Sequence, residues 1–159
     1  MNNKKLAFLL KLFVVILAAL GLVLFGLCIP SLLHELILFY RQTLNEELPL
    51  QLLSATAAVI LYIALILFWR ICTRIGRNRS FCHENAEGLR WICKLALFDS
   101  ALCLIGCLYA LFLNILHPAL MLSGLGIMAL GGLIAVAAYT LAYLVTIAEQ
   151  IQKENELMV

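Results

Sequence analysis

A chain of 159 residues that is 65% hydrophobic and only 13% charged, with a net charge of +2, lies well outside the balance of a water-soluble domain. That composition excludes a soluble globular fold and leaves an integral membrane protein. Four apolar runs, over residues 6–29, 50–69, 95–116 and 119–147, each reach the roughly 20 residues that an α-helix needs to cross a hydrocarbon core. The predicted architecture is all-α: a single polytopic membrane four-helix bundle.

The first run begins among Lys4, Lys5 and Lys11. Its apolar core exceeds the roughly 7 to 15 residues of a secretory h-region, and no small-x-small cleavage site follows it. The "LFGLC" that ends at Cys28 has the outline of a lipoprotein box, but Leu27 stands where a small residue is needed. A retained helix is predicted.

Between the first two runs, "PSLLHELILFYRQTLNEELP" sets Leu32, Leu33, Leu36, Ile37, Tyr40 and Leu44 at helical spacing, as expected of a helix lying at the membrane interface. Its His34-Glu35 pair starts like a zinc-protease motif, but Leu38 replaces the second histidine. Ser54 and Thr56 in the second run, with Ser123 in the fourth, are candidates for hydrogen bonds between helices. Tyr40, Tyr62, Trp69 and Trp91 fit aromatic belts at the membrane surfaces.

The second run leads into Arg70, Arg74, Arg77 and Arg79, then a polar stretch. There Phe81, Asn85, Leu89, Ile92 and Ala96 recur at spacings of four, four, three and four, one face of a helix. His83, Glu87, Arg90 and Lys94 form a polar stripe on another face. Ser80 is the predicted N-cap, with Glu84 and Glu87 favourable against the helix dipole. An amphipathic helix therefore starts near Phe81 and runs straight into the third span. On its apolar face a partnerless Asn85 amide would cost about 1 to 3 kcal/mol. Asn85 either ties the helix to backbone near residues 75–79 or contacts a docking partner.

Asp99 is the only acid inside an apolar run, about 7 to 8 Å deeper than Lys94. Intramembrane acids mark function by default, but this depth also lets Asp99 meet Arg70, Arg74 or interfacial water. Of the six cysteines, Cys72, Cys82 and Cys93 lie on the basic side, Cys103 and Cys107 inside the third run, and Cys28 near the opposite face. No intramolecular disulfide is expected. A zinc site from Cys72, Cys82, His83 and Cys93 matches no ligand spacing. With no paired carboxylates, nucleophile and base, or Gly-rich phosphate loop, the chain offers no catalytic, cofactor or metal site.

The fourth run carries Gly124, Gly131, Ala135, Ala138 and Ala142 down one face, a small-residue stripe that lets backbones approach closely. Its partner is span one, span two or a second copy in a homo-oligomer. Beyond it, Glu149, Glu154 and Glu156 bracket Lys153 before Leu157, Met158 and Val159 end the chain. This acidic tail can pair with Arg70, Arg74, Arg77 and Arg79, at about 0 to 1 kcal/mol per exposed pair. Of the 11 cations, Arg41 alone falls on the other side, so both termini are expected to be cytoplasmic. Topology already accounts for the arginines, and direct nucleic-acid binding is not expected.

The stretch Ile75 to Ile92, with Ile75-Gly76, Ser80-Phe81, Glu84-Asn85 and Leu89-Arg90-Trp91-Ile92, together with the terminal "AEQIQKENELMV", resembles a bacterial family catalogued as domain of unknown function 2975. The positions that match its pattern are Phe81, Asn85, Leu89 and Arg90, then Glu154, Asn155, Glu156, Leu157 and Val159. Met158 departs from the small polar residue of that pattern. The resemblance implies a small four-span protein of the bacterial cell membrane, often encoded beside a helix-turn-helix regulator. The expected function is non-enzymatic: a cytoplasmic loop and tail forming a docking or signalling surface for a cytoplasmic regulatory protein, in contact with the lipid bilayer. The alternative is a small transporter, channel or immunity protein that uses the bundle interior.

Overall fold

The computed structural model describes residues 3–31, 34–35, 44–77, 82–113 and 118–157. Four long helices account for nearly all of them: α1 (Asn3–Val23), α2 (Leu44–Gly76), α3 (His83–Phe112) and α4 (Pro118–Leu157). Inside hydrocarbon each backbone N–H and C=O must be satisfied within its own segment, so unbroken apolar runs become unbroken helices. The stretches Ala7–Ser31, Leu48–Gly76, His83–Phe112 and Gly124–Glu154 are each long and apolar enough to cross a membrane. The chain is an all-α bundle of four membrane-spanning helices. Their outward faces carry exposed Phe8, Leu22, Leu52, Phe98 and Leu133, side chains that only a lipid solvent suits.

The first span does not stay α-helical to its end. Leu24–Cys28 form a π turn, closed by the Ile29 N–H donating to the Leu24 carbonyl. Pro30 is the physical cause, because it has no N–H for the Gly26 carbonyl and its ring would collide with that carbonyl in a regular α turn. Of the expected interfacial helix of residues 30–49, residues 44–49 form the first turns of α2 instead, while residues 32–33 and 36–43, with Tyr40 and Arg41, lie outside the described residues.

The start of α1, the end of α2, the start of α3 and the end of α4 lie together at one end of the bundle. Lys11 stacks its ammonium 5.2 Å from the Trp69 ring centre, Arg74 pairs with Glu84 at 3.3 Å, and Arg90 reaches Thr146 at 3.5 Å. Lys5, Arg70, Arg77, Lys94 and Lys153 join them by sequence position, so this is the cationic end.

Close backbone approach follows chain order among the described residues: α1 lies on α2, α2 on α3, and α3 on α4. In the first seam Ala7, Val14 and Gly21 are buried, and the Tyr62 hydroxyl donates to the Ala18 carbonyl at 3.0 Å. Tyr62 therefore serves at mid-helix rather than in an aromatic belt, while Trp69 and Trp91 are exposed near the cationic end. The Ser54 and Thr56 hydroxyls bond back to Gln51 and Leu53 carbonyls of their own helix, not across helices. The Ser123 side chain lies outside the described residues.

The stripe of small residues on α4 is buried as its spacing predicts, with Ala135 at 3%, Ala138 at 5% and Ala142 at 1% exposure. Its partner is α3, not span one or two. Gly131 lies directly against Ser100, whose hydroxyl would collide with any added Cβ, and Gly124 lies against Cys107. Nearer the cationic end Ile71 of α2, Leu89 and Ile92 of α3, and Ala138 and Ala142 of α4 form one apolar cluster.

Candidate docking surface

Helix α3 starts later than the capping pattern predicts. Cys82, in extended conformation, is the N-cap, and its carbonyl accepts from the Asn85 N–H at 2.9 Å and the Ala86 N–H at 3.3 Å. Ser80 and Phe81 lie outside the described residues. Glu84 stands in the first turn, where a carboxylate complements the helix dipole, and also takes the Arg74 guanidinium from the end of α2. This ion pair is solvent-exposed and holds the α2 and α3 ends together with little energy of its own.

The two predicted faces of α3 separate cleanly. Asn85, Leu89 and Ile92 are buried, while His83, Glu87, Arg90 and Lys94 are exposed. Asn85, at 1% exposure, is the only buried polar side chain among the described residues. It sits one turn before Leu89, so the polar atom extends the line of the apolar cluster toward the helix start. Of the sequence candidates in this region, Asn85 and Leu89 thus face inward and Arg90 faces outward. Arg90 turns along the surface to the Thr146 hydroxyl of α4, which in turn donates to the Ala142 carbonyl at 2.9 Å.

The acidic tail is a straight continuation of α4. The helix has 40 residues, about 60 Å, against a hydrocarbon core of about 30 Å. Its polar last turns, from Glu149 onward, extend it at the cationic end. Glu149 accepts from Lys153 of its own helix at 2.8 Å, and Arg74 is engaged by Glu84, so among the described residues no glutamate of α4 pairs with an arginine. The expected neutralisation of loop arginines by the tail is not seen among the described side chains, where these local pairs stand instead; Arg79 and the Glu156 side chain lie outside them. Glu154 is exposed; the side chains of Asn155 and Glu156, and all of Met158 and Val159, lie outside the described residues.

Asp99 lies in α3 on the stripe Gly88, Ile92, Leu95, Asp99, Leu102 and Gly106, whose outer members face Ile71 and Leu53 of α2. Its Oδ1 is buried and makes no hydrogen bond, and no cation stands within ion-pair range among the described residues. The expected pairing with Arg70 or Arg74 is absent there: Arg74 bonds Glu84, and Arg70 is exposed. All six cysteines are free, and no three His, Cys, Asp or Glu side chains group together among the described residues. Sequence reasoning missed Ser100 and misplaced Tyr62; a helical face shared with Ala96 and Cys103 was the available signal for Ser100.

These features define a multi-pass membrane protein with a structured, charged helical platform at one end. The chain belongs to the family described as protein of unknown function DUF2975, whose profile matches residues 39–159. No curated protein and no solved structure matches the chain.

Proposed function

We propose that this is a non-enzymatic protein of a bacterial cell membrane, with both termini cytoplasmic, whose cationic end is a docking surface for a small regulatory protein. The observation that carries it is the platform itself. Helix α4 runs on past the apolar span beside the start of α3, held by the shared cluster of Ile71, Leu89, Ile92, Ala138 and Ala142 and by Arg90 against Thr146. Rigid helices that expose His83, Glu87, Arg90, Lys153 and Glu154 offer mixed charges to a partner at little ordering cost. The concentration of cations at this end supports its cytoplasmic placement. The regulator class comes from the family resemblance, whose members are often encoded beside helix-turn-helix proteins.

Cross-linking mass spectrometry in native membranes tests this. A cytoplasmic regulator is expected to cross-link through Lys94 in the full chain and to vanish when residues 149–159 are removed, while the bundle still inserts. A cross-link that survives the truncation at full yield removes the tail from the surface. Asp99 favours a second function, ion-coupled transport through the bundle, since its buried Oδ1 has no bond among the described residues. On that basis Asp99→Asn abolishes ion-driven flux in proteoliposomes; unchanged flux takes the acid out of the mechanism.

A further inference from the structure

The seam that α1 presents to α2 runs Ala7, Lys11, Val14, Ala18 and Gly21, at spacings of four, three, four and three. Ala7, Val14 and Gly21 are buried there, and Ala18 accepts the Tyr62 hydroxyl. Lys11 therefore occupies a seam position that its neighbours fill with small or apolar side chains. Its stem lies half-buried against α2 and its ammonium emerges over the Trp69 ring, the arrangement of a lysine snorkelling from an apolar interface toward the headgroup layer.

Charge around this point is one-sided. Lys5, Lys11, Arg70 and Arg77 belong to α1 and the end of α2, and none has a carboxylate within ion-pair range among the described residues. Every acid at the cationic end whose side chain is described lies on α3 or α4: Glu84, Glu87, Glu149 and Glu154. Glu84 and Glu149 are already engaged by Arg74 and Lys153. A matched pair sits on the other edge, where Lys94 stacks 4.8 Å from the Trp91 ring centre, two turns from the exposed Glu87. Topology requires only that cations gather at this end. It does not require one of them to be fixed in a helix seam, about one turn inside the apolar stretch, against a tryptophan ring and away from acids.

We propose that the α1–α2 edge at the cationic end binds the phosphate headgroup of an anionic phospholipid, with Lys11 and Arg70 as its cations and Trp69 against the headgroup layer. The complement is a lipid because the exposed surface deeper than Lys11, Leu12 and Val15 on α1 and Ile66 on α2, is apolar and suits acyl chains. The phosphate of such a lipid neutralises a charge that the protein leaves unbalanced.

Native mass spectrometry of the full chain released from mixed phosphatidylglycerol and phosphatidylcholine vesicles reads this directly. The wild type is expected to retain phosphatidylglycerol over phosphatidylcholine. Lys11→Met, which keeps the stem, should cut that preference about fivefold, the size expected of one basic residue near an anionic surface. Lys11→Arg should restore it, and Lys94→Met should leave it intact. Equal retention of the two lipids by the wild type overturns the proposal, as does an equal loss in Lys11→Met and Lys94→Met, which marks diffuse attraction. Displacement of the lipid by inorganic phosphate alone would assign the site to a free anion instead. If Lys11→Met does not fold, the exposed Arg70→Gln takes its place with the same expected loss, and an unchanged preference there sinks the proposal.

Discussion

At Asn85 a carboxamide is as buried as Ala86 beside it, one turn ahead of Leu89 and the apolar cluster. A side chain so placed acts on the protein's own packing before it can act on a partner. Asn85→Ala is accordingly expected to lower stability by about 1 to 3 kcal/mol in a detergent-unfolding titration, the cost of leaving the buried group that Asn85 engages without its partner. Glu87→Gln, on the exposed stripe, should stay within about 0.5 kcal/mol of wild type. Should Asn85→Ala keep full stability and yet lose the regulator cross-link, the residue returns to the docking surface. The burial of Asn85 was legible from spacing alone, because Leu89 and Ile92 share its face. Tyr62 was not: an aromatic hydroxyl reads the same at a membrane surface and inside a seam until the Ala18 carbonyl of another helix is seen to accept it.

Between elements, the α3–α4 seam depends on distance more than on chemistry. The Ser100 hydroxyl is folded back to the Ala96 carbonyl at 2.9 Å, and Gly131 is the residue that leaves room for it. Gly131→Ala should therefore destabilise the bundle by about 1 to 3 kcal/mol, as overpacking does. In a Ser100→Ala background the same substitution should cost less, giving a coupling of about 0.5 to 3 kcal/mol in a double-mutant cycle. Additive effects would mean that the two residues do not share the space. The small-residue stripe was visible in the sequence, but its partner was not. Small residues set how near a neighbouring backbone comes, and that property is common to every helix able to approach.

For the whole molecule, the lengths of the apolar runs are enough to count the spans, and the sorting of charge is enough to put both termini at one end. The absolute direction is open to a direct check with native cysteines. Cys28 is exposed near the end opposite the cations, and Cys82 caps α3 among them. In single-cysteine variants, a membrane-impermeant maleimide added to intact cells should label Cys28 and reach Cys82 only after lysis. The reverse pattern would turn the bundle over and take the docking surface out of the cytoplasm. What composition did not disclose was the order of packing, since four apolar helices of similar character permit several arrangements.

That order has a consequence for how the protein is made. Because each helix comes close only to its neighbours in the chain among the described residues, contacts between helices are as local as a four-span topology allows. During synthesis α2 finds α1 already in the bilayer, α3 finds α2, and α4 arrives last against a surface that is complete. Each arriving helix meets its backbone neighbour already in place, and only the cluster at Ile71, Leu89 and Ile92 waits for Ala138 and Ala142 of α4.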